Sequence, residues 1–253
     1  MLDKWDLSIV KVNMFISPSQ LLPSAPGKAE RTRQRILHSA LTLFTSIGYE
    51  QTTLRHIAAS AGTSLGLTYR YFSCKEELVL AFYNGLASRF IEHVQQLSSG
   101  TLADRFEAAI LYKLDLIEPH QDLIGVLLSS AVNPKSPIGV LGEQTANIRR
   151  RMQIAFEQIV EGSQDAPAAA LAQRLATLLY MTHLALLFFR VHDRSEAGKA
   201  TRGLVDLIKP GLAFSPFALQ IPIVSDGMEK LAASFAAVLG GNNHESAPNS
   251  AAT

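Results

Sequence analysis

The sequence predicts an all-α protein, a short N-terminal group of helices followed by a larger helical remainder. Three observations carry this. Apolar residues recur at i, i+3 and i+4 along most of the chain, the period of a helix with one buried face. No segment sustains the alternation of polar and β-branched residues that marks a strand. Pro119, Pro134, Pro137, Pro167, Pro210, Pro216 and Pro222 fall at or near the ends of the periodic segments, where proline is tolerated or stops a helix.

The elements follow in order. "SPSQLLPSAPG" (17–27) is rich in Pro and Ser, so residues 1–27 are expected to form a disordered arm. A first helix runs from about 28 to 46, its core face marked by Ile36, Leu37, Ala40, Leu43, Phe44 and Ile47, and Gly48 stops it. Thr52 and Thr53 are good caps for a short second helix, "LRHIAASA", ending at Gly62. Thr63 or Ser64 caps a third, ending near Tyr71 and Phe72. A fourth opens at Lys75-Glu76-Glu77 and continues through Leu78, Phe82, Leu86 and Phe90. Further helices are expected at about 101–117, 121–132, 140–162, 166–191, 196–209 and 225–239. The segment 166–191 is apolar on nearly all sides and must be buried all round, most simply against another subunit. The tail 240–253 reads as disordered. The domain division expected is 28–89 and 90–239.

Charge is unevenly placed. Eight Lys and Arg between Lys28 and Arg89 oppose four Glu, a net of +4 in a chain whose formal charge is +1. A basic first third beside a mildly acidic remainder suggests that the first third meets an anion. The single Cys74 rules out an intramolecular disulfide and a Cys-rich metal site, and fits a reducing cytosol. Asp3, Asp6 and Lys11 spoil a signal-peptide reading of the N-terminus. The longest apolar stretch, "LATLLYMTHLALLFF" (175–189), is short for a bilayer span and reads as a buried helix. A cytoplasmic protein with no membrane partner is expected.

One stretch, "TSLGLTYRYFSCKEEL" (63–78), supports two readings. Gly62-x-Ser64-x-Gly66 spells a serine-hydrolase nucleophile pattern, and Asp115 and His183 follow in a usable order. That chemistry needs a strand before the serine and a long helix after it, whereas "LRHIAASA" precedes it. The alternative is a helix-turn-helix, with Gly62 at the turn and the helix after Ser64 presented to a DNA groove. A helical interaction module without DNA binding is a third class. The run "TTLRHIAASAGTSLGLTYRYFSCKEEL" (52–78), with "RTRQRILHSALTLFTSIGYE" (31–50), resembles the signature of the TetR (tetracycline repressor) family of bacterial transcription regulators over about residues 28–89. The resemblance implies a three-helix DNA-binding domain, an all-helical ligand-binding and dimerisation domain, a homodimer on double-stranded DNA carrying a palindromic operator, and release by a small apolar effector. It implies no enzyme activity and no cofactor.

By resemblance and chemistry, the DNA-contacting candidates are Thr53, Arg55, Ser64, Leu65, Gly66, Thr68, Tyr69, Tyr71 and Lys75. Thr53 and Lys75 would meet phosphates. Ser64, Leu65, Gly66 and Thr68 would form the base-facing surface, with methyl contacts to thymine from Leu65 and Thr68. Tyr69 and Tyr71 would touch the backbone. Arg31, Arg33 and Arg35 would add diffuse attraction to phosphate. Cys74, at a helix N-terminus, is a poor cap and a candidate redox-sensitive thiol. In the second domain the effector candidates are Phe106, Ile110, Leu114, Leu127, Phe156, Tyr180 and His183, with Ile117, Leu128 and Phe188 beside them. His183 is a polar group in an apolar helix and needs a partner.

Overall fold

The computed structural model describes residues 27–133, 135–218 and 222–239, and among these it contains ten α-helices and no strand. The arm expected at 1–27 lies outside the described residues except for Gly27, and the tail 240–253 lies outside them entirely.

The first four helices are α1 (Lys28–Ile47), α2 (Leu54–Ser60), α3 (Leu65–Tyr71) and α4 (Lys75–Gln95). Their ends are set by local chemistry. Gly48, at φ +89°, turns the chain out of α1. Thr53 caps α2 by accepting from the His56 N–H at 3.2 Å, and Ser64 caps α3 by accepting from the Leu67 N–H at 3.1 Å. Between them Gly62 takes φ +60°, a left-handed value that a side chain would resist. Cys74 occupies the N-cap of α4 without a side-chain bond to the helix. Instead the Ser73 N–H and hydroxyl, one position before the cap, each donate to the Glu77 carboxylate of the first turn at 2.7 Å. Ile36, Ala40 and Phe44 of α1 meet Ile57 of α2, Phe72, and Leu78 and Val79 of α4 in a dry core. Each large apolar side chain buried there contributes about 1.5–3 kcal/mol.

The second part is built from α5 (Leu102–Ile117), α6 (Gln121–Val132), α7 (Ala146–Glu161), α8 (Ala169–His192), α9 (Lys199–Ala218) and α10 (Pro222–Val238). The α8 helix packs on α7 and α10, α5 on α9, and α4 reaches across to α5 and α7. Buried Arg105 ties this together. Its guanidinium donates to the Ile159 and Gln158 carbonyls at the end of α7 and to Leu97 and Ser98 just past α4. A cation at two helix C-termini satisfies carbonyls that have no partner inside their own helices.

Three elements differ from expectation. The helix expected from 140 starts at Ala146. Gly139 and Gly142 fold the preceding chain back, the Gly142 N–H donating to the Gly139 carbonyl at 2.9 Å. A Cβ on Gly142 would lie 2.3 Å from the Pro137 carbonyl oxygen. The helix expected to stop near 209 continues to Ala218, through Pro210 and Pro216. Pro210 and Asp206 are both exposed, so water can serve the carbonyl that Pro210 leaves without a donor. Finally, α8 is 24 residues long and apolar enough to cross a membrane by length and composition. It lies between α7 and α10 with His183 and Arg190 buried, yet it is not buried all round as expected: 39% of its apolar window is buried, and Phe188 and Phe189 are exposed.

Candidate nucleic-acid interface and interior cavity

The α2–turn–α3 unit presents one polar face. Arg55 and His56 of α2, then Ser64, Gly66, Tyr69 and Arg70 at α3, are exposed. The hydroxyls of Thr53 and Ser64 accept helix N–H groups, which leaves each O–H free to donate outward. Tyr69 is 52% exposed although it is a large aromatic. Arg70 shares this face because it lies four positions after Gly66, on the same side of a helix. The sequence reading missed it, and the helical projection of 66, 69 and 70 would have found it.

Three of the expected contacts are corrected. Thr68 does not face outward: it is fully buried, its hydroxyl 2.9 Å from that of Thr63 and 3.1 Å from the Ser64 carbonyl. It lies on the inward side of α3 and locks the turn. Leu65 and Tyr71 are half-buried and pack against the core, so their apolar surface is largely spent inside. Lys75 is engaged as well. Its ammonium donates to the carbonyls of Tyr49 at 2.8 Å and Glu50 at 3.3 Å, and lies 4.5 Å from the Tyr49 ring centre. Two of its three protons are used, and one remains for an anion. Arg31 and Arg35 are exposed, while Arg33 packs 5.1 Å over the Phe72 ring.

The hydrolase reading finds no support in this geometry. Ser64 caps a seven-residue helix, a helix rather than a strand precedes it, and His183 is buried on α8.

The larger part encloses a cavity of about 530 Å³, within the usual range of about 300–1,000 Å³ for small-molecule sites. Its wall is apolar for the most part. Tyr83, Leu86 and Ala87 come from α4, Ile124, Leu128, Ala131 and Val132 from α6, and Met181, Leu184 and Leu187 from α8. Of the seven effector candidates, Tyr180 and His183 line it. Phe106, Ile110, Leu114, Leu127 and Phe156 do not; they are at most 1% exposed and form the packed core behind the wall. An apolar stripe at helical spacing marks a buried face, and it does not say which buried positions border a void.

His183 and Lys113 are two of the polar groups that interrupt the wall. Neither ring nitrogen of His183 has a hydrogen-bond partner among the described residues. Burial first, then the charge of Lys113, hold the imidazole down to about 3, with slight opposition from the Tyr180 backbone, so it is neutral at physiological pH. Lys113, absent from the sequence-based candidates, is 6% exposed and lowered to about 8 by burial. Its ammonium sits 5.2 Å from the Phe90 ring centre and has no carboxylate or carbonyl partner among the described residues. A lysine in the middle of α5's apolar stripe was the available signal.

The model of the family described as "Bacterial regulatory proteins, tetR family" matches residues 36–82, the helix-turn-helix with its flanks. TtgW of Pseudomonas putida, an HTH-type transcriptional regulator, is 34% identical over 98 residues, covering 38% of this chain and 69% of TtgW. AcnR of Corynebacterium glutamicum, an HTH-type transcriptional repressor, is 36% identical over 73 residues, 29% of this chain and 39% of AcnR. In several other curated regulators, too, the matched stretch spans less than half of the relative's length. Among solved structures, the TetR transcriptional regulator of Nitrosomonas europaea superposes with a TM-score of 0.56 at 22% identity, over 73% of this chain and 99% of that one, which is a likeness of fold.

Proposed function

The chain belongs to the TetR family of bacterial transcription regulators, DNA-binding proteins and not enzymes, and on that premise we propose that it is a homodimeric repressor released from a palindromic operator by a small, largely apolar effector. The observation that carries this is the sharing of α4. The N-terminal half of α4 supplies Leu78, Val79 and Phe82 to the core, the first two among them packed beneath the helix-turn-helix, and its next turns supply Tyr83, Leu86 and Ala87 to the cavity wall. The α6 helix doubles the link, since it lines the same cavity and packs on α1. A molecule in the cavity therefore bears on both elements that set where α3 points.

In this reading two α3 helices enter successive major grooves about 34–36 Å apart. Arg70, Tyr69, Ser64 and Gly66 face the bases and their flanks, while Thr53, Arg55 and the third proton of Lys75 meet phosphates. The effector favours a different α3 separation, and a coupling of about 1–3 kcal/mol is enough for a switch. Support for the dimer comes from α8 and α10. They pack together and leave Phe189, Ile223 and Leu231 exposed at 43%, 80% and 49%, an apolar surface that a second copy would cover. The protein would act at the nucleoid in the cytoplasm.

The test is a fluorescence-anisotropy titration with the DNA upstream of its own coding region, against a scrambled duplex, at two salt concentrations. Saturable binding that prefers the native duplex, with two chains per site, supports the reading. Equal binding to both duplexes that vanishes with salt reduces the basic first third to a non-specific patch.

A further inference from the structure

We propose that the effector is an amphiphilic anion, an apolar body ending in one carboxylate, whose head is held by Lys113 and His183 at the buried wall of the cavity. This rests on the reading of the cavity as the effector site and names the chemical class it accepts.

The argument begins with what the wall lacks. Among the residues lining the cavity there are two permanent or near-permanent cations, Lys113 and Arg149, and no aspartate or glutamate. The two cations differ in their state. Arg149 is spent on protein carbonyls, donating to Leu239 at 3.0 Å, Val140 at 3.1 Å and Gly142 at 3.3 Å, and so holds the loop 139–142 and the end of α10 over the cavity. Lys113 donates to no carbonyl and pairs with no carboxylate among the described residues; its neighbours are the Phe90 ring and the His183 imidazole. Buried charges in proteins are paired or hydrogen-bonded as a rule, because removal from water is costly. An ammonium and an imidazole that both lack a hydrogen-bond partner among the described residues line the same largely apolar cavity, and together they offer two donors to one acceptor. A neutral apolar effector would leave both unsatisfied, and an added cation would be repelled. A carboxylate supplies two acceptor oxygens, one for the ammonium and one for a ring N–H of the neutral His183. The body of the ligand would lie against Leu128, Met181, Leu184 and Leu187.

The titratable groups facing Lys113 across the cavity are Tyr83 of α4, Arg149 of α7, and Tyr180 and His183 of α8. Tyr83 and Tyr180 are each raised to about 12 by burial and stay neutral near pH 8. Any loss of anion binding just above that pH is therefore assigned to Lys113, which burial lowers to about 8.

The experiment is calorimetric titration of the full chain with dodecanoate and with dodecanol, matched in chain and differing in head, and with the shorter octanoate and octanol pair. At neutral pH the carboxylates are expected to bind at least about tenfold more tightly than the alcohols. Their advantage should fade as pH rises through 8 to 10, while alcohol binding stays level. In Lys113→Met the two heads should bind within about twofold of each other, with alcohol affinity retained as the sign that the cavity is intact. Equal affinity for both heads in the unaltered protein overturns the anion assignment and leaves the cavity reading standing. A preference that survives in Lys113→Met overturns the assignment to this residue. Binding of no member of either pair overturns the cavity as an amphiphile site, and the head-group assignment falls with it.

Discussion

In the helix-turn-helix, Thr53 and Ser64 cap their helices with N–H groups three positions on, and Ser73 with Glu77 brackets the start of α4. In the cavity, further along the chain, neither ring nitrogen of buried His183 has a hydrogen-bond partner among the described residues, and Lys113 has only the Phe90 ring and the His183 imidazole as neighbours there. The first region is complete by itself. Arg55, Ser64, Gly66, Tyr69 and Arg70 lie exposed outside its core. The second region keeps a buried imidazole that its own walls leave without a partner among the described residues. That difference suits a sensor: a ligand shifts an equilibrium by its differential affinity for two states, and unsatisfied buried groups provide such a difference.

The largest expected effect breaks the completeness of the first region. Phe44 is fully buried and stacks edge-on with Tyr49 at 5.1 Å. Phe44→Ala should cost about 3–5 kcal/mol, read by urea denaturation followed by circular dichroism. A single shifted transition would mean that α4 makes one cooperative unit of both regions. A new early transition would mean that the helix-turn-helix melts alone.

Next comes a gain. The charged form of Lys113 opposes folding, since the folded value of about 8 lies below the ordinary 10.5. Between these values the unfolded chain holds more protons, so stability rises with pH across that window. At neutral pH the difference is on the order of 3 kcal/mol. Lys113→Met should therefore stabilise the ligand-free protein by about 1–3 kcal/mol and flatten the rise between pH 8 and 10.5, measured by denaturant midpoints at several pH values. A loss of stability would mean that the lysine has partners in the native state. His183 acts in the acid range with the same sign. Its folded value of about 3 lies below 6.5, so stability falls as pH drops through that window, and His183→Leu should lessen the fall.

The smallest effects on stability sharpen the comparison at the DNA face. Ser64→Ala removes the α3 cap and should cost about 0.5–2 kcal/mol. Arg70→Ala touches an exposed side chain and should stay within about 0.5 kcal/mol, yet weaken operator binding and change its sequence preference. If Arg70→Ala weakens all duplexes alike, Arg70 meets phosphate rather than base.

The sequence showed the first region closely and the second only in outline. Gly48, Thr53, Gly62, Ser64 and the Lys75-Glu76-Glu77 start mark helix ends through bonds to residues within four positions, so the pattern is legible along the chain. The error there was Thr68, whose short polar side chain suits a groove as well as a turn; its burial depends on how α3 docks on α2. In the second region the helices were legible from periodicity. The proline ends of α9 were not, because Pro210 lies on an exposed side where its missing donor costs little. The cavity wall was the least visible: five of the seven effector candidates are packed core, and Lys113 was overlooked.

By itself the sequence determined that this chain is helical, where its first four helices start and stop, and that residues 52–78 fold as a helix-turn-helix. Those properties arise from caps, turns and periodic burial, which act over a few residues. Only the tertiary structure decided that Thr68 points inward, that Lys75 grips the Tyr49 and Glu50 carbonyls, and that Lys113 and His183 line one cavity. Each of these depends on distances between helices, and the same apolar stripe fills a core or borders a cavity according to the neighbour that packs against it.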